Sequence, residues 1–211
     1  QERDASEDTV RPRRKRRAER GARRVRGWVT ALTLATIAMA HADTPAELSV
    51  AERASSDQVE AAYLYNFGKF VRWPATASQG PMVLCVAGED NVGQFLARMV
   101  EGEQIDGRPL QVKALGGADD AGRCSILFVG PGERERVGSY LGAASGKPVL
   151  TVGEAPDFLS RGGIIQFVLN DDHVRFSVNL NAAHRNSLQL SSELLKVAVS
   201  VTGEPQAGGL P

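Results

Sequence analysis

Met82-Val83-Leu84-Cys85-Val86-Ala87 is apolar at every position and too short for a helix, so it reads as a strand buried on both faces. Such strands belong to parallel sheets, whose crossover helices cover both sides. More runs of this kind follow: Leu110 to Leu115, Ser125-Ile126-Leu127-Phe128-Val129, Val149 to Val152 and Ile164 to Leu169. Between them, Asn91 to Met99 and Arg134 to Ala144 carry helical patterns, and Pro156 to Ser160 reads as one helical turn. Asn170-Asp171-Asp172 is a tight turn. The chain returns with Val174, Phe176 and Val178 inward, which makes an antiparallel hairpin. Asn181 to Asn186 is a short helix and Ser191 to Val199 a capped terminal one. Strands alternating with helices predict an α/β fold: a single three-layer α/β/α domain with a mostly parallel sheet and one antiparallel hairpin near an edge.

Toward the N-terminus, Ser56-Asp57 offers a helix cap and Glu60 stands where a capping box needs it. Val59, Ala62, Tyr63, Phe67, Phe70 and Val71 recur at spacings of three and four, predicting one apolar face, and Trp73-Pro74 ends the helix. Ala46 to Ser55 is polar and small-residue rich, as a linker is. Before it, eleven basic side chains between Arg3 and Arg26 precede the apolar run Trp28 to Met39, closed by Ala38-Met39-Ala40 and Ala40-His41-Ala42. That is the pattern of a cleaved secretory signal peptide, and the run falls short of the ~20 residues that span a membrane. The organisation expected is a signal peptide over 1–42, with translation starting inside this segment as one reading. A linker over 43–55, the α/β domain over 56–200 and a flexible tail over 201–211 complete it.

The leader accounts for the neutrality of the whole chain. Removing its eleven basic and five acidic residues from totals of 25 and 25 leaves 14 and 20, a net charge near −6. Nucleic acid or an anionic membrane surface calls for a basic face, so neither is the expected partner. Export also places Cys85 and Cys124 where a disulfide persists. Two alternatives stay open for them, a bridge and two separate buried thiols. Neither has a CxxC partner or a nearby His, which argues against a zinc site or a redox dithiol.

Few residues have the spacing that catalysis needs. After the leader the only histidines are His173 and His184, and no nucleophile-base-carboxylate set is evident, so a hydrolase is the weakest reading. Gly130-Pro131-Gly132-Glu133 follows a strand but lacks the Gly-Lys-Ser/Thr of a phosphate loop. Asp119-Asp120 and Asp171-Asp172 read as turn acids without the alternation of a calcium loop. No metal or cofactor is expected. Arg175, His184 and Arg185 are candidates for holding a small anionic ligand if the hairpin and the following helix converge; surface salt bridges are the plainer alternative. Tyr65 and Lys69 lie off the apolar face of the first helix, and with Trp73 they are the candidates for contact with a protein partner.

Three segments together resemble the YfiR family of periplasmic regulators. They are Ala61-Ala62-Tyr63-Leu64-Tyr65-Asn66-Phe67-Gly68-Lys69-Phe70-Val71-Arg72-Trp73-Pro74, Gly162-Gly163-Ile164-Ile165-Gln166-Phe167, and Val174-Arg175-Phe176-Ser177-Val178-Asn179-Leu180-Asn181-Ala182-Ala183 with Leu190-Ser191-Ser192-Glu193-Leu194-Leu195 behind it. The resemblance runs from about Val59 to Ala198. It implies a non-enzymatic α/β/α domain that dimerises and represses an inner-membrane diguanylate cyclase by binding its periplasmic portion, lowering cyclic di-GMP and biofilm formation. A periplasmic small-molecule sensor is the alternative. Cys85 and Cys124 match a cysteine pair seen in that family, while a second pair that some members carry near Asp157 to Gln166 is absent here. Gly68 departs from the bulkier residue expected inside a helix; close packing of another helix is one explanation.

Overall fold

The computed structural model describes residues 45–77, 79–88, 91–170 and 173–204. The signal-peptide reading over 1–42, the hairpin tip at Asp171-Asp172 and most of the C-terminal tail lie outside the described residues. Helix α1 runs over Pro45–Phe70 without interruption. The start predicted at Ser56 is therefore corrected. Proline is at home in a first helical turn, and the residues from Ala46 to Ser55 are acceptable helix formers rather than breakers. Ser56 sits inside the helix, where its Oγ donates to the Glu52 carbonyl at 3.2 Å, so it caps nothing.

Strand β1 (Val71–Arg72) follows α1 at once and pairs antiparallel with β9 (Gln189–Leu190), a two-stranded ribbon that the sequence reading missed. The main sheet is built from β2 (Met82–Ala87), β3 (Gln104–Ile105), β4 (Arg108–Leu115), β5 (Ile126–Val129), β6 (Leu150–Gly153), β7 (Ile165–Asn170), β8 (His173–Asn179) and β10 (Ser200–Thr202). Its order is β10-β8-β7-β6-β5-β2-β4-β3. Strands β4, β2, β5, β6 and β7 run parallel, and β8 returns antiparallel against β7 with Phe167 opposite Phe176. The fold is thus α/β with a mixed, mostly parallel sheet that carries the expected antiparallel hairpin, β7–β8, and a second, shorter one, β3–β4, at the other edge.

Alternation along β2 explains the layers. Leu84 and Val86 point to one face, Cys85 and Ala87 to the other, and each set joins a separate core. On the first face α1 and α2 (Val92–Met99) cover the sheet with Leu64, Phe67, Val92 and Leu96. On the second, α3 (Val137–Ala144) and the 3-10 turn Ala118–Arg123 pack Val137, Tyr140 and Ala121 over Leu127 and Val129. An aromatic group locks α1 to the hairpin: Phe67 meets Phe176 edge-on at 5.1 Å, and Tyr63 lies 5.5 Å from Phe176 and 5.9 Å from Phe167.

Several boundaries shift. The predicted helix at Arg134 begins as a 3-10 turn over Pro131–Arg136, and Pro156 to Ser160 forms hydrogen-bonded turns rather than a helix. Helix α4 spans Leu180–Arg185, and α5 spans Ser192–Val197. α5 stops there because Ala198 turns extended, and the chain enters β10, which supplants the flexible-tail reading for 201–202. On α1, Val59 and Phe70, predicted for the apolar face, are each 41% exposed; the stripe that is buried is Ala61, Leu64 and Phe67.

Cys85 and Cys124 are bridged, with Cα atoms 5.8 Å apart, inside the range that a disulfide requires. Cys124 lies just ahead of β5, the neighbour of β2. Beside it, the buried Arg108 donates to the carbonyls of Gly80 (3.0 Å) and Pro81 (3.1 Å) and to Ser125 Oγ (3.4 Å), tying the entry of β2 to β4 and β5.

Candidate functional site

Tyr65 lies at the flank of the buried stripe of α1, half-buried against the first core, and Lys69 follows one turn on, exposed. At spacing i,i+4 the two side chains stack along the helix, and Lys69 Nζ sits 3.9 Å from the Tyr65 ring centroid. The Tyr65 hydroxyl donates to Glu103 Oε2 at 2.8 Å, from the loop that enters β3. The result is a ring held between a cation and an anion, with Lys69 and Glu103 exposed. Glu103 was not among the predicted residues; 38 positions separate it from Tyr65, and only folding brings them together. Trp73 does not join this surface. It is 8% exposed and packs in the first core, so the partner-contact role predicted for it is not available to its ring in this arrangement.

A second region lies above the carboxyl ends of the parallel strands. The order reverses at β2, with β4 on one side and β5, β6 and β7 on the other, and such switch points are where open α/β sheets form ligand crevices. Asn91 follows β2 and Pro131 follows β5; both line a cleft of about 1050 Å³ whose other walls include Tyr63, Glu154, Phe167 and Arg175. Asn91 Nδ2 donates to Asp57 at 3.0 Å and fastens α1 to the start of α2.

His184 and Arg185 sit elsewhere. Strand β8 starts at the carboxyl end of the sheet and runs antiparallel, so α4, which follows it, lies at the opposite end. There Asn186 reaches the Val149 carbonyl ahead of β6 at 2.8 Å. Arg175 is four residues, about 13 Å of extended strand, from the end of β8. The structure therefore does not bring Arg175 together with His184 and Arg185, and the convergence expected from sequence is corrected. Of these three, Arg175 alone lines the cleft.

Two of the remaining polar motifs make local ion pairs. Asp120 accepts from Lys113 at 2.7 Å and pairs with Arg123 at 3.4 Å; the Lys113 hydrogen bond holds its carboxyl below the usual range. Gly130-Pro131-Gly132-Glu133 leads into the 3-10 turn, with Glu133 and Arg136 3.1 Å apart. Among the described residues no His, Cys, Asp or Glu cluster has the arrangement of a metal site, and no helix is long and apolar enough to cross a membrane.

A family model described as YfiR/HmsC-like matches residues 57–199, from inside α1 to the threshold of β10. The chain belongs to the YfiR/HmsC-like family. All the surface candidates, Tyr65, Lys69, Glu103, Arg175, His184 and Arg185, fall within the YfiR/HmsC-like region. No match is found among curated proteins. The fold is shared with a conserved domain protein from Vibrio cholerae O1 biovar El Tor, at a TM-score of 0.50 and 10% identity over 69% of this chain. The match covers 60% of the Vibrio chain. An ABC domain in complex with L-Trp from Streptococcus pneumonia aligns at a TM-score of 0.47 and 8% identity, covering 70% of this chain and 60% of that one.

Proposed function

We propose that this protein is a non-enzymatic periplasmic regulator, exported by a cleaved N-terminal leader. It acts as a homodimer that binds the periplasmic portion of an inner-membrane diguanylate cyclase and represses it, lowering cyclic di-GMP and biofilm formation. The observation that carries this reading is the YfiR/HmsC-like match over residues 57–199, which takes in nearly all of the described α/β domain. The Cys85–Cys124 disulfide fits an oxidising compartment. Binding on one side of a membrane changes catalysis on the other only if the regulator prefers the inactive arrangement of the cyclase, and repression then follows as a population shift.

The Tyr65-Lys69-Glu103 surface is the docking site in this reading, because it presents an anchored ring flanked by both charges. The test is a pull-down from solubilised membranes with the exported protein. A diguanylate cyclase in the eluate, depleted when Lys69→Glu replaces the native protein at unchanged thermal stability, supports the reading; an eluate without any cyclase rejects it. A second reading, a small-molecule sensor, is favoured by the cleft lined by Arg175 at the switch point. The two are compatible where a ligand tunes the regulator.

A further inference from the structure

The two edges of the main sheet are finished differently. At one edge β3 is only two residues long, with exposed Glu103 and Asp106 on either side and Pro109 opposite Gln104 on β4. Short length, charge and proline are the usual protections of an edge strand. At the other edge β10 pairs with β8 alone, and its three residues are all exposed. Val197, Val199 and Val201 are 58%, 52% and 39% exposed, half of the six large apolar side chains that stand exposed among the described residues. Neither lysine nor proline interrupts Val199-Ser200-Val201-Thr202. An apolar edge with neither lysine nor proline in the strand itself is a template for another strand.

The residues around this edge say which strand. The segment is self-complementary about Ser200. A two-fold axis through Ser200, relating antiparallel strands, sets Val199 against Val201 of a second copy, and by symmetry does so twice. A foreign strand would have to supply its own matching pair of apolar side chains, whereas a second copy supplies them through the symmetry of the contact.

We infer that two copies associate through antiparallel pairing of their β10 strands, which joins the two eight-stranded sheets into one. This rests on the homodimer in the reading above and names its surface; repression of a cyclase does not enter it. The contact leaves the Tyr65-Lys69 surface of each copy uncovered, since that surface adjoins β3 at the far edge of the sheet.

The test is sedimentation equilibrium of the exported protein, disulfide intact, with circular dichroism as the folding control. Wild type is expected at dimer mass and Val201→Lys at monomer mass. Val199→Lys, which faces Val201 across the same axis, should likewise give monomer mass. A dimer unmoved by Val201→Lys and by Val199→Lys overturns the β10 interface while leaving the homodimer standing. A wild-type monomer at tens of micromolar overturns both.

Discussion

At Gly68, α1 presses directly on strands. A Cβ there would lie 2.7 Å from Ile105 Cδ1 and 3.4 Å from Met82 Sδ, so the close neighbour is sheet; packing of another helix, one explanation open from sequence, is not the one found. Gly68→Ala is expected to be near neutral. About 1 kcal/mol gained in helix propensity is offset by displacing the flexible end of Ile105. Gly68→Leu has no such escape and should destabilise by about 1 to 3 kcal/mol in urea unfolding, as overpacking does. The cysteines give the other prediction at this scale. Replacing both by Ala releases a loop of 39 residues in the unfolded chain and should cost up to ~4 kcal/mol, read from the shift in unfolding midpoint. Cys85 was legible as a buried strand residue because its neighbours are all apolar. The burial of Trp73 and the exposure of Phe70 were not, because the helix ends between them and the periodic face ends with it.

Among the elements, two short helices owe their starts to side chains that the sequence does display. Asn179 accepts from the Ala182 amide at 3.0 Å to cap α4, and Ser191 accepts from the Leu194 amide at 3.3 Å to cap α5. Ser191→Ala should cost about 1 kcal/mol, the ordinary worth of a cap. Asn179→Ala should cost about twice that, because its Nδ2 also donates to the Leu159 carbonyl at 3.2 Å and that acceptor is left without it. Chemical denaturation of the two variants, side by side, checks the order; equal losses would mean that the Leu159 contact contributes nothing. Caps and apolar runs are local signals, which is why β2, β5, β7 and β8 were found. The pairings β1 with β9 and β10 with β8 join positions far apart in the chain through two or three residues each, and no local pattern announces them. For the same reason the continuous α1 was cut short: Asp57 and Glu60 have the spacing of a capping box even inside a helix.

For the whole molecule, fold class and layer arrangement followed from alternation of strands and helices, while the strand order with its reversal at β2 came only from the structure. The candidate site divided in the same way. Tyr65 and Lys69 were readable from helical spacing; their partner Glu103 was not, and Arg175 and Arg185 were joined in sequence reading only to be parted by the length of β8. The central claim is that this domain, from the periplasm, restrains a diguanylate cyclase in the membrane. The most direct measurement is intracellular cyclic di-GMP in a strain carrying the cognate cyclase, with this gene deleted and then restored in two forms. Deletion should raise the nucleotide, the exported protein should bring it down, and a leaderless version held in the cytoplasm should leave it high. An unchanged level on deletion, or equal restoration by the leaderless version, would contradict the account.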